Sequence, residues 1–204
     1  MKVLMINGSP NEHGCTYTAL SEVGESLKKR GIDYEIVYLG KKPMAACIVC
    51  GKCFETGKCI FEDKVNEINM DEYAALVVGS PVYYAAPSGQ VCAFLDRLFY
   101  TSGAKMAGKP AAAVVSCRRG GASAAFDRLN KYFAMTNMLI TGSQYWNQVH
   151  GSCPEDVKKD EEGLQTMRTL AENMAWLLKL IECGEKNGIK KPVYEKKIRT
   201  NFIR

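Results

Sequence analysis

The sequence predicts an α/β protein: a doubly wound, five-stranded parallel sheet in the order 2-1-3-4-5, with a cysteine-rich insertion between strands two and three. Three observations predict it. Short apolar runs alternate along the chain with segments whose apolar residues recur at helical spacing, the pattern of βαβ units. The first and third of these runs are apolar throughout, as in strands buried on both faces. Both are closed by a Gly-Ser-Pro loop, which stops a strand and turns the chain.

The elements follow in order. Val3-Leu4-Met5-Ile6 is the first strand, ending at Asn7-Gly8-Ser9-Pro10. Leu20, Val23 and Leu27 give a helix one apolar face, and Gly31 stands where a C-cap belongs. Tyr34 to Tyr38 is the second strand, completing a βαβ unit. Ala74 to Val78 is the third, closed by Gly79-Ser80-Pro81. Val91, Phe94, Leu95 and Leu98 stripe the next helix, and Ala111 to Val115 is the fourth strand, ending at Ser116. Phe126, Leu129 and Phe133 mark a further helix, and Met138-Leu139-Ile140 begins a short fifth strand. Leu164, Met167, Leu170, Met174, Leu177, Leu178 and Ile181 stripe a long terminal helix. One domain is expected over residues 1–185, with the insertion at 43–60 and a basic tail at 186–204. The tail reads either as solvated chain or, from Phe202 and Ile203 at its tip, as a segment that docks on a neighbouring subunit.

Composition narrows the function. A chain of 204 residues with 47% hydrophobic and 24% charged residues is ordinary globular material. A net charge of +5 is too weak and dispersed to argue for nucleic acid. No apolar run approaches the ~18 residues of a membrane span. The absence of a secretory pattern at the N-terminus, with nine cysteines that are bunched and cannot all pair, predicts a cytoplasmic protein in a reducing compartment.

The informative loops follow strands, at the edge where this topology places its ligand. Gly8 to Thr16 offers two glycines for close backbone approach, hydroxyls from Ser9, Thr16 and Thr18, and a helix N-terminus, which together make a phosphate cradle. It lacks the Gly-Lys-Ser/Thr of a Walker loop and the glycine spacing of a dinucleotide fingerprint. An ordinary strand-to-helix turn is the plainer reading. Ser80 to Gly89 holds Pro81, Val82, Tyr83 and Tyr84, a stiff aromatic loop suited to a planar heterocycle; the plainer reading makes one tyrosine a core residue. Ser116 to Ser123 combines Arg118 and Arg119 with Gly120 and Gly121, so main-chain N–H groups and fixed positive charge meet there. Cys117 reads as a buried structural thiol, His13 as a loop residue, and His150 as a surface residue or a lining of the same edge.

Gly8-Ser9-Pro10 with Thr16, Ser80-Pro81-Val82-Tyr83, and Asp96-Arg97 on the following helix resemble the NADPH-dependent FMN reductase and flavodoxin-like superfamily. With Cys47-x2-Cys50-x2-Cys53-x5-Cys59 added, the closest resemblance is to its iron–sulfur flavoprotein group, over roughly the first 150 residues. The resemblance implies FMN on a flavodoxin-like sheet. Ser9, Thr16 and Thr18, with the backbone between them at Cys15, would hold the phosphate. Pro81, Val82, Tyr83 and Tyr84 would border the ring. Ser116, Gly120 and Gly121 would approach its pyrimidine edge, and from their position at the end of the fourth strand Arg118 or Arg119 is expected beside it. The sequence departs from the family at Asn11, where Arg or Lys is frequent, and at Cys15, where Asn or Ser is frequent.

Flavin chemistry needs no separate side-chain catalyst, because the protein's part is to bind, orient and tune the cofactor. The sequence therefore predicts an FMN-dependent oxidoreductase taking electrons from NAD(P)H or a reduced carrier to a quinone, a flavin or another acceptor. The resemblance further implies a homodimer or homotetramer. A carrier without its own substrate is the alternative, and a module with structural zinc a third. Cys47, Cys50 and Cys53 share the compact spacing of bacterial ferredoxins, with Cys59 left to close the site. Gly51 and Gly57 allow the backbone to wrap around a centre. A 4Fe-4S cluster, a zinc ion and free thiols all stay open on spacing alone.

Overall fold

Val3, Leu4, Met5 and Ile6 are all fully buried within β1 (Lys2–Asn7). In a strand, successive side chains point to opposite faces, so β1 needs a layer of helices on each side. The computed structural model describes residues 1–202 and shows both layers. Leu4 and Ile6 pack beneath α4 (Gly89–Met106) and α5 (Ala122–Met135), with Phe94, Leu95, Leu98 and Phe133. Val3 and Met5 pack beneath α1 (Cys15–Lys29) and α7 (Glu161–Lys186), with Leu20, Val23, Leu27, Leu170 and Met174. Gly31, at φ +76°, follows α1, and its N–H donates to the Lys28 carbonyl as in a glycine-terminated helix.

The sheet has seven strands rather than five. Besides β1 they are β2 (Asp33–Tyr38), β3 (Ala75–Tyr83), β4 (Ala86–Pro87), β5 (Pro110–Cys117), β6 (Leu139–Ile140) and β7 (Gln148–His150). The order is β2-β1-β3-β5-β6, with β4 on β3 and β7 on β5, and every pairing is parallel except β3 with β4. Two expectations are corrected. The third strand does not close at Gly79-Ser80-Pro81 but runs on to Tyr83 and turns back as a hairpin. Pairing to β1 stops at Asn7 with Gly79, so Pro81 lies where β3 has an open side, and its missing N–H breaks no ladder there. The fifth strand is two pieces, because residues 141–147 leave the sheet in a loop tied by Ser143 Oγ to Asn147 Oδ1 at 2.7 Å.

The connection from Tyr38 to Ala75 lies outside the sheet and carries α2 (Lys52–Thr56), α3 (Lys64–Glu67) and a 3-10 turn at Met70–Glu72. A short α6 (Pro154–Val157) precedes α7. Beyond Lys186 the chain has no regular element to Asn201, and Phe202 is exposed; Ile203, the other half of the expected apolar tip, lies outside the described residues. Among the described residues no helix is long and apolar enough to cross a membrane.

Candidate functional site

Three loops leave the C-terminal ends of β1, β3 and β5 and interlock. In the first, the Asn7 side chain donates to the Glu12 carbonyl at 2.9 Å and accepts from the Ser9 N–H at 3.1 Å. Ser9 Oγ accepts from the Asn11 N–H at 3.1 Å. The arc is therefore held before any ligand arrives. It ends at Gly14, the N-cap of α1, which has no capping side chain. Uncapped N–H groups at a helix start are donors for an anion. Ser9 and Thr16 are buried, and Thr16 Oγ1 shares a 2.8 Å hydrogen bond with Ser116 Oγ, joining the first loop to the end of β5. Thr18 Oγ1 donates to the Gly14 carbonyl at 3.2 Å. Cys15 is half-buried and its thiol points to the Gly151 carbonyl at 3.6 Å. Burial pushes that thiol above its ordinary value, which keeps it neutral.

The second loop is the β3–β4 hairpin. Its two central residues, Tyr84 and Ala85, have φ of +50° and +61°. A two-residue hairpin turn needs left-handed residues and ordinarily uses Asn or Gly, so these side chains are held against local preference. Tyr84 is fully exposed and Tyr83 about half, so neither is a core tyrosine. Ser88 locks this loop to the first: its Oγ donates to the Gly8 carbonyl at 2.7 Å and accepts from the Val91 N–H at 3.2 Å, capping α4.

The third loop starts at Cys117, whose buried thiol is 3.5 Å from His150 Nδ1. Arg118, Arg119 and Gly120 are exposed, and among the described residues neither arginine is in an ion pair. Gly121 is left-handed at φ +88°, and a Cβ there would fall 2.9 Å from Ala85 Cα. The arginine loop and the tyrosine hairpin thus touch through a glycine. Pro81, Val82, Tyr83, Tyr84, Ser116, Arg118, Gly120 and Gly121 come together at one sheet edge with Ser9 and the start of α1. His13 stands on the first loop, edge-on to Tyr17.

A family sequence model described as NADPH-dependent FMN reductase matches residues 1–151. The chain belongs to that family. An iron-sulfur flavoprotein of Methanocaldococcus jannaschii is 33% identical over 194 residues, covering 89% of this chain and all of the relative. A Clostridioides difficile iron-sulfur flavoprotein is 28% identical over 148 residues, covering 70% of this chain and 66% of that one. Among solved structures, an NAD(P)H:quinone oxidoreductase from Methanothermobacter marburgensis superposes with a TM-score of 0.63 at 16% identity, over 85% of this chain and 98% of that one. An archaeal flavodoxin gives 0.60 at 17%, over 88% and 99%. These structural likenesses place this family member in the flavodoxin-like α/β fold. Membership supports FMN binding and an oxidoreductase.

FMN fits the site on the observations above: uncapped N–H groups at the start of α1, a presented aromatic turn and two exposed arginines outside any described ion pair at one edge. The cysteines lie elsewhere, in the connection outside the sheet. Cys47, Cys50, Cys53 and Cys59 are free thiols lining one small cavity of about 40 Å³, beside α4. Gly51 and Gly57 cap α2 in left-handed conformations, and Val49 is left-handed at φ +54°, rare for a β-branched residue. Burial pushes the Cys53 thiol above its ordinary value. Among the described residues no three His, Cys, Asp or Glu side chains converge to hold a metal ion. Four thiols around one cavity are a donor set that suits a soft metal centre.

Sequence reasoning assigns no site role to two residues. Ser88 is visible only once the hairpin folds back. Arg97 is 1% exposed in its side chain and lines the cysteine cavity. Its signal was a charged residue three positions after Phe94, at the edge of the apolar stripe of α4.

Proposed function

We propose that the protein is an FMN-dependent oxidoreductase that takes electrons from NAD(P)H or a reduced carrier to a quinone, a flavin or another acceptor, with a 4Fe-4S cluster on Cys47, Cys50, Cys53 and Cys59. The observation that carries the FMN reading is the interlock of the three loops in a chain of the FMN reductase family. The cluster reading rests on the four-thiol cavity and on relatives named for iron and sulfur. Bound FMN supplies hydride acceptance and electron release, and a bound cluster supplies one-electron exchange.

The chain's own residues do the rest. Ser9 and the first N–H groups of α1 hold the phosphate, while Thr16 and Ser116 brace the floor beneath. Val82, Tyr83 and Tyr84 border the ring and exclude water from one face. Arg118 and Arg119 place positive charge at the pyrimidine edge, favouring added negative charge there. Exposed Ile48, Val49, Phe54 and Tyr100 around the cysteine cavity support a homo-oligomer in which a second copy covers that face.

Anaerobic rapid mixing with NADH and NADPH tests the activity. Fast bleaching of the flavin absorption supports the oxidoreductase. Bleaching by a reduced ferredoxin alone would make the protein a carrier.

A further inference from the structure

Arg97 sits on α4, far in sequence from the cysteines, yet its guanidinium is spent on them. A guanidinium has five N–H donors in a rigid fork. All five find acceptors. Nε donates to Cys59 Sγ at 3.1 Å. One terminal nitrogen donates to the Ala45 carbonyl at 3.1 Å and Asp63 Oδ2 at 2.7 Å. The other donates to the Phe61 carbonyl at 3.4 Å and Asp63 Oδ1 at 2.7 Å. Its plane also lies over the Phe61 ring, 5.0 Å from the centroid. The acceptors stand on both sides of the cysteine run, two residues before Cys47 and at and after Cys59. One buried side chain therefore ties both ends of a segment that has no sheet pairing to a rigid helix.

Cys59 is singled out among the four. Asn66 holds its main chain on both sides, accepting from its N–H at 2.8 Å and donating to its carbonyl at 2.9 Å. Among the described residues, no side chain donates to the sulfurs of Cys47, Cys50 or Cys53, and Cys53 Sγ has only its own main-chain N–H. Cys59 is also the ligand that spacing leaves to close the site alone.

We propose that Arg97 is a positioning residue for the cysteine centre: it fixes the Cys59 sulfur as fourth ligand and, through the Nε–H bond, raises the reduction potential of the cluster. The proposal rests on the cluster reading above. A donor aimed at a ligand sulfur draws charge from it and favours the more reduced form, and hydrogen bonds to sulfur are a principal lever on cluster potentials. Lysine cannot replace the function, because it has charge without the fork.

The test uses the full chain with FMN bound, reconstituted anaerobically with ferrous iron and sulfide. Wild type and Arg97→Lys are compared for iron content, iron loss to a chelator, and midpoint potential followed by electron paramagnetic resonance. FMN content and thermal unfolding report the fold. The expected result is a lower midpoint potential and at least tenfold faster iron loss in Arg97→Lys with FMN retained, a difference that disappears when both proteins also carry Cys59→Ser. Equal potential and equal iron loss would overturn the proposal while leaving the cluster standing. Wild type that retains no iron would remove the cluster reading, and the proposal with it. Should Arg97→Lys fail to fold, Asp63→Asn decides: it loosens the fork but keeps Arg97, and unchanged iron loss to the chelator there overturns the proposal.

Discussion

Gly120 and Gly121 are adjacent, yet an added methyl group should have opposite consequences at the two. At Gly121 the backbone is left-handed, φ +88°, and a Cβ would meet Ala85 Cα at 2.9 Å and Val82 Cγ1 at 3.1 Å. A left-handed alanine costs about 1–2 kcal/mol. Pushing against backbone and a packed valine adds about 1–3 kcal/mol of overpacking. Gly121→Ala should therefore destabilise by about 3 kcal/mol, a large part of the 5–15 kcal/mol typical of a folded domain. In a chain of this size that lowers Tm by roughly 6–12 °C. At Gly120 a Cβ meets nothing within 4 Å and the backbone is not left-handed. Gly120→Ala should be neutral or up to about 1 kcal/mol stabilising, through the stiffer unfolded chain. Thermal unfolding by far-UV circular dichroism measures both. FMN affinity should fall at least tenfold in Gly121→Ala alone, because the arginine loop and the tyrosine hairpin can no longer touch. Equal melting temperatures for the two variants would refute the contact on which the site's geometry rests.

Three further outcomes follow from the same structure. Tyr84→Gly relieves a left-handed residue whose ring packs on nothing, so stability should be equal or up to about 1 kcal/mol higher. FMN affinity should nevertheless fall roughly fivefold, about 1 kcal/mol of lost stacking, and an unchanged affinity removes Tyr84 from the site. Thr16→Val strands the buried Ser116 hydroxyl and should cost about 1–3 kcal/mol in urea unfolding, most of it recovered on adding Ser116→Ala; strictly additive losses would mean the two hydroxyls are not coupled. Burial opposes ionisation of Asp63, but the Arg97 hydrogen bonds, the Val65 N–H and the guanidinium charge outweigh it and hold the carboxyl below its ordinary value. Its contribution is thus complete above the unfolded-chain pKa of about 3.9 and is lost as pH falls through the lower folded value. Asp63→Asn should cost about 2–4 kcal/mol at pH 7, less than a fully buried broken pair because Asp63 keeps 28% side-chain exposure, and the gap to wild type should close below about pH 4. A gap independent of pH would place the stabilisation elsewhere.

Much of this was legible because the physics was local. The apolar run at residues 3–6 and the stripes of α1, α4 and α7 each carry their period in the sequence, and the loops after strands fall at one edge whatever the details of packing. What stayed hidden depends on distant partners. Pro81 reads as a strand stop until β1 is seen to end first. Residues 141–147 leave the sheet through contacts that spacing does not encode. Tyr83 and Tyr84 look alike in sequence, and only the hairpin's left-handed turn explains why both face outward. Thr16 was recognised as a loop hydroxyl, while its bond to Ser116 spans 100 positions. Arg97 was visible as half of an Asp-Arg pair, but nothing local says that its five donors serve a segment more than thirty residues away.

The central claim is that the first loop and the start of α1 bind the phosphate of FMN. Equilibrium titration of flavin-free protein with FMN and with riboflavin tests it most directly, since the two ligands differ only in that phosphate. Two charge-assisted hydrogen bonds of about 1.5–3 kcal/mol each would make FMN bind at least ~100-fold more tightly. Riboflavin binding within a few-fold of FMN would contradict the account.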